Sequence, residues 1–335
     1  MAHHPALPRR GLAGVAALAA LAAGTPALAA GEAPRPSGTS IEAEEHWAKK
    51  GDVNLYLWRR RAAGSERRPV LFLVHGSSFS GRGGFDLQVP GHPGYSMMEH
   101  FAGLGFDVWA LDHENYGKSS RTGSNSDIRS GVEDLKAGFA KVEEVTGQRT
   151  LMVYGQSSGA IRAGRFTNEN PDRVERLVLD AFTYTGEGAP EIMRRREQVA
   201  SYRARNFRMM NREAFVGIFS RDDPSTFEPA VPQALADYEL ALTDRAPSGT
   251  YLDMAVNMPM VDPKRIACPV LMCRAETDGN ATDAELLDFF GQLPNRDKQF
   301  AMMRGIAHVA VLGTNRHRIW HVMEEFLTLP ALRGA

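Results

Sequence analysis

Near the middle of the chain, Gly155-Gln156-Ser157-Ser158-Gly159 sets two serines between two glycines. A serine hydroxyl attacks an acyl carbon only when a base takes its proton and a third group orients that base. The pattern G-x-S-x-G fits a sharp turn from a strand into a helix, and its glycines leave room where the two nearly touch. In this register Ser157 is the nucleophile. Ser158 follows it and offers its backbone N–H to an oxyanion hole.

In the chain order that accompanies such a turn, an acid and a histidine come after the serine, each in a loop following a later strand. Of the ten histidines, His308 occupies such a loop, three residues beyond Gly305. His75, His92, His100 and His113 precede the serine. His317 and His321 have metal-compatible i, i+4 spacing, but no carboxylate motif stands beside them, so they read as an ordinary helix face. For the acid, Asp278 is preferred because the turn residues Gly279 and Asn280 follow it. Asp180, ending the preceding strand in "LVLDAF", and Glu276, expected still to lie within its own strand, are the alternatives. A developing oxyanion needs a second aimed donor. The loop opening "HGSSFSGRGG" supplies the N–H of Ser77, with its hydroxyl as a candidate auxiliary. His75 reads as a residue that fixes this loop by hydrogen bonding.

These groups need a frame. Short β-rich runs recur at 53–58, 69–76, 107–113, 150–156, 176–182, 269–276 and 299–305, and stretches with helical spacing lie between most of them. Strands alternating with helices predict an α/β fold, a mostly parallel central sheet flanked by helices. The interval from Phe182 to Pro269 is too long for one crossover and contains no clear strand, which predicts an inserted helical cap. The expected layout is a signal peptide at 1–30, a linker at 31–44, a core at 45–183 and 263–335, and the cap at 184–262.

Taken together, "HGSS", "LDHENYGKSS" (Leu111–Ser120), "GQSSG", Asp278 and His308 resemble the α/β-hydrolase fold superfamily, in its capped serine-esterase and lipase-like branch. The resemblance spans Val70 to about Leu329. It implies attack by Ser157 on an acyl carbon, proton transfer through His308, and release of an acyl-enzyme by water. Serine rather than aspartate at 157 argues against haloalkane dehalogenase or epoxide hydrolase chemistry. Ser-Ser in the loop after the third of the fold's strands departs from the Gly-Gly run of hormone-sensitive-lipase relatives. The fold hosts many reactions, so an acyltransferase or an amidase/peptidase using the same residues stands beside the ester hydrolase.

The substrate signal lies in the cap. From Glu191 to Arg221 there are eight arginines against three glutamates, interleaved with methionine and phenylalanine. Most such arginines are expected on the solvated face. One or two turned inward would bind a carboxylate and suit a monoester of a dicarboxylic acid, such as an aromatic diacid. The remaining indications are compositional. With 40 acidic and 39 basic residues, the net charge of -1 gives no reason to expect nucleic acid as partner. No phosphate loop or clustered metal ligands appear, and no cofactor is expected. Arg9 and Arg10, the apolar run Leu12–Ala23 and Pro26-Ala27-Leu28-Ala29 fit an export signal cut after Ala29 or Ala30, too short to remain as a membrane anchor. The expected location is therefore periplasmic or secreted, with a small-molecule ester as partner. The only two cysteines, Cys268 and Cys273, fall about 16 Å apart at strand rise and cannot bridge each other.

Overall fold

The computed structural model describes residues 40–64 and 66–330, together with Met1. The expected signal segment and the linker up to residue 39 lie outside the described residues. In chain order come the hairpin strands β1 (Ile41–Lys50) and β2 (Val53–Ala62), then β3 (Val70–Val74), α1 (Gly81–Phe85), α2 (Met97–Gly103) and β4 (Asp107–Leu111). Next are α3 (Ile128–Thr146), β5 (Leu151–Gln156), α4 (Ser158–Glu169) and β6 (Val174–Asp180). The long interval that follows holds α5 (Pro190–Arg196), α6 (Val199–Ala204), β7 (Phe207–Met209), α7 (Arg212–Ser220), α8 (Ala230–Leu240), β8 (Arg245–Pro247) and α9 (Gly249–Val256). The chain then returns through β9 (Val270–Ala275), α10 (Asp283–Gln292), β10 (Lys298–Met303) and α11 (Arg316–Leu327).

Eight strands form one sheet in the order β1-β2-β4-β3-β5-β6-β9-β10. Pairing is antiparallel at β1–β2 and β2–β4 and parallel from β4 to β10. The inner strands are buried on both faces, as a parallel sheet covered by helices requires, and so read as continuous apolar runs. In β3, Val70, Phe72 and Val74 join one core layer while Leu71 and Leu73 join the other. The first layer is closed by α3 and α4, where Phe139 sits 5.0 Å from Phe72 and 4.4 Å from Phe166, centroid to centroid. Asp127 caps α3 by accepting from the Ser130 N–H at 2.7 Å. Gly147, at φ 69°, ends that helix in the left-handed conformation.

Two expectations are corrected. Residues 41–44, expected as linker, already belong to β1. This edge strand carries the charged sequence "IEAEEHWAKK", and its Glu42 and Glu44 pair with Arg59 and Arg61 of β2. Charge on an edge strand guards against stray pairing but erases the apolar alternation by which strands are recognised. The interval between β6 and β9 is not wholly helical either, because β7 and β8 pair antiparallel over three residues each. Both cysteines are free and buried, Cys268 just before β9 and Cys273 within it.

Candidate active site

β5 runs into α4 with Ser157 as the hinge. Its backbone is held at φ 57°, ψ -125°, a conformation that non-glycine residues seldom adopt and that costs on the order of 1–3 kcal/mol. Two neighbours explain how such a turn fits. A Cβ on Gly155 would lie 2.6 Å from the Gly159 carbonyl oxygen, and one on Gly159 would lie 2.2 Å from that of Val74. Here the glycines are obligatory because helix, turn and β3 are in backbone contact. The Ser157 N–H donates to the Asp180 carbonyl at 2.9 Å, fastening the turn to β6.

His308 follows β10 and lies against this turn. Its Nε2 is 3.1 Å from Ser157 Oγ and its Nδ1 is 2.9 Å from Asp278 Oδ2. Asp278 is buried in the loop after β9, where its Oδ1 accepts from the Asn280 N–H at 2.9 Å. Burial works to raise its pKa, but the His308 charge and hydrogen bond, then Arg221 and the Asn280 N–H, outweigh burial and hold it well below the usual carboxylate range. Of the three candidate acids, the structure brings Asp278 to the histidine. Asp180 instead accepts from Tyr154 Oη at 2.7 Å, and burial pushes its carboxyl up to about 7. Glu276 is the first residue beyond β9 rather than part of it, and it accepts from the Gly305 N–H at 2.8 Å.

The loop after β3 closes over the serine. Gly76 packs there so tightly that a Cβ would sit 3.3 Å from Ser157 Cβ. His75 is fully buried. It accepts from the His113 N–H through Nε2 at 3.1 Å and donates from Nδ1 to the Gly76 carbonyl at 2.8 Å, while burial pushes its pKa well down and keeps it neutral. It is a loop fastener, as expected. The Ser77 carbonyl accepts from Tyr116 Oη at 3.0 Å and from Arg208 Nη2 at 2.9 Å. Its hydroxyl, a candidate auxiliary donor to an oxyanion, is otherwise engaged. It accepts from Thr250 Oγ1 at 2.8 Å and donates to Ser158 Oγ at 2.7 Å. This relay ties α9, the loop and the turn into one unit and leaves the backbone N–H groups as the donors to consider. The Ser158 N–H lies in the first turn of α4, where amide groups have no partner within the helix.

One cavity of about 20 Å³ is lined by Ser157, His308 and the Gly76–Phe79 loop together with Arg195, Ile218, Arg221 and Tyr251. That is room for roughly one water. Sequence reasoning gave no site role to Asn280 or Thr250. The Asn280 amide nitrogen lies 2.6 Å from Nδ1 and 2.9 Å from Nε2 of His308, against the imidazole. Asparagine after Asp-Gly is a turn signal, which concealed this role, and Thr250 lies in a helix with no motif to single it out. Among the described residues no group of His, Cys, Asp or Glu could hold a metal ion, and His317 and His321 are exposed on α11. No described helix is long and apolar enough to cross a membrane.

Comparison with known proteins bears on the family and the fold. The family model described as serine aminopeptidase, S33, matches residues 95–313. A curated relative, protein bem46 of Schizosaccharomyces pombe, is 27% identical over 129 residues, which is 38% of this chain and 40% of that protein. The chain therefore aligns to less than half of that relative's length. Among solved structures, a serine hydrolase from the polyaromatic-hydrocarbon-degrading bacterium Cycloclasticus zankles superposes with a TM-score of 0.62 at 14% identity, covering 85% of this chain and 98% of that one. A thermophilic esterase from Thermogutta terrifontis, solved with malate bound, gives 0.59 at 16% identity over 85% and 98% of the two chains. At these identities the two structures speak to the fold alone, the mostly parallel sheet flanked by helices of the α/β-hydrolases.

Proposed function

The chain belongs to the serine aminopeptidase S33 family of α/β-hydrolases, and from that premise we propose that it is an exported carboxylic-ester hydrolase acting through Ser157, His308 and Asp278. The observation that carries this reading is the continuous hydrogen-bonded line from Ser157 Oγ through His308 to Asp278. His308 Nε2 takes the Ser157 proton as Oγ bonds to the acyl carbon. The carbonyl oxygen becomes an oxyanion, facing the N–H groups of Ser77 and Ser158. Collapse expels the alcohol, which leaves with the proton from His308, and water then releases the acyl group by the same steps in reverse order. Asp278 holds the imidazole in the useful tautomer and stabilises its charged form.

The family name also points to peptide substrates. A peptide with a free N-terminus would bring a protonated amine into a cavity walled by Arg195 and Arg221, and like charges repel there. An ester, and among esters a monoester of a dicarboxylic acid, suits that wall better. An acyltransferase would use the same residues with an alcohol or amine in place of water, and product partition with an added nucleophile distinguishes it.

The test is hydrolysis of p-nitrophenyl esters by wild type, Ser157→Ala and Ser158→Ala. Ser157→Ala should lower kcat by about a thousandfold or more, while Ser158→Ala keeps a substantial share of turnover. Equal activity in the two variants would refute this register of the turn. Export is tested separately by sequencing the N-terminus of the mature protein, which should begin at Ala30 or Gly31.

A further inference from the structure

The cavity wall has a charge that the hydrolytic machinery does not use. Arg195 is only 4% exposed, yet no carboxylate pairs with it among the described residues. Its Nη2 donates to Asn280 Oδ1 at 3.0 Å, its Nη1 faces Met254 Sδ at 3.3 Å, and its guanidinium lies 4.4 Å from the Tyr251 ring centroid. Arg208 lies 3.8 Å from the same centroid and donates to the Ser77 carbonyl, again with no described carboxylate partner. Arg221 is paired, with Asp222 at 3.0 Å and Glu191 at 3.5 Å, but its Nη2 is buried and has no hydrogen-bond partner. The other carboxylate at the site, Asp278, is engaged by His308. Arg195 and Arg208 thus flank one tyrosine ring and Arg221 shares its cavity, and the first two have no carboxylate partner among the described residues.

Buried charge without a partner is expensive, and a ligand of opposite sign relieves that cost. A guanidinium fork matches a carboxylate in shape as well as in charge. Arg195, Arg221 and Tyr251 line the same small cavity as Ser157 and His308, so a group bound to them sits close to the reacting carbonyl. We propose that Arg195 and Arg221, with the Tyr251 hydroxyl, form a subsite for the free carboxylate of a half-ester whose acid and ester groups are separated by a short spacer. The inference rests on the ester-hydrolase reading for its substrate class. Arg208 adds positive potential from beside Tyr251, and Asn280 links the subsite to His308 through its two ends.

The decisive measurement is calorimetric binding to Ser157→Ala, which holds substrate without turning it over. Monomethyl succinate should bind at least tenfold more tightly than dimethyl succinate, and monomethyl adipate should show less of that preference. Adding Arg195→Met should abolish the preference for the charged ester. That replacement leaves no carboxylate orphaned, and Arg195→Lys, which keeps the charge, should retain part of the preference. Equal affinity for charged and neutral esters, or equal losses in the Met and Lys variants, would overturn the subsite. The two proposals fail separately. Turnover of p-nitrophenyl acetate without a binding preference would sink the subsite and leave the hydrolase. A binding preference without turnover of any ester would do the reverse.

Discussion

At the scale of single residues, two buried aspartates, one ending β6 and one in the loop after the neighbouring β9, behave in opposite ways. Asp278 is held ionised against His308, whereas Asp180 is pushed up to about 7, first by burial. Asp278→Asn should cut kcat by about a thousandfold to ten-thousandfold, the loss expected when the base takes the wrong tautomer. Asp180→Asn should leave most activity and change the pH dependence of stability instead. A carboxyl whose folded pKa exceeds its unfolded value contributes stability that is fully present below about pH 4 and lost as pH rises through about 7. The variant should therefore gain Tm relative to wild type between pH 5 and 8, read by thermal melts. Tyr251 is perturbed the other way. Burial alone would raise its pKa, but Arg208, Arg195 and Arg221, then the Ser78 hydroxyl, bring it down to about 7. An absorbance titration should find one phenol ionising near neutrality, missing in Tyr251→Phe. Because the phenolate would compete with a substrate carboxylate, KM for a half-ester should climb above pH 7 in wild type and less so in that variant.

Elements carry the next group of consequences. The close contact of β3, the turn and α4 makes Gly159→Ala intolerable, since its Cβ would overlap the Val74 carbonyl. Soluble expression should be lost or Tm should drop steeply, whereas Gly103→Ala, with open space around its Cβ, should be nearly neutral. Much of this frame was legible in advance, because all seven strands read from the apolar runs belong to the sheet, and the loops after β9 and β10 hold Asp278 and His308. What escaped had a physical reason. β1 is a charged edge strand without alternation, and three-residue β7 and β8 are too short to show a period. The eight arginines of 191–221 gave away a basic surface but not which of them turn inward. Arg195 does so because α5 packs on α9, a contact between segments more than fifty residues apart that no local pattern encodes.

For the whole molecule, the narrow cavity above Ser157 sets the terms of entry. With room for about one water, substrate must displace side chains contributed by the insertion, Ile218 and Tyr251 among them. Catalytic efficiency on p-nitrophenyl esters should accordingly be highest for acetate and decline toward decanoate. The cysteines lead to a different property. Cys268 and Cys273 are the only two in the chain, both are free, and burial pushes both thiols up, Cys268 to about 12. A thiol kept protonated and sheltered neither exchanges nor oxidises readily. The folded protein should thus be indifferent to redox poise: melting at the same temperature with or without dithiothreitol, unmarked by iodoacetamide until it unfolds, and as readily produced in a reducing cytosol as in an oxidising medium.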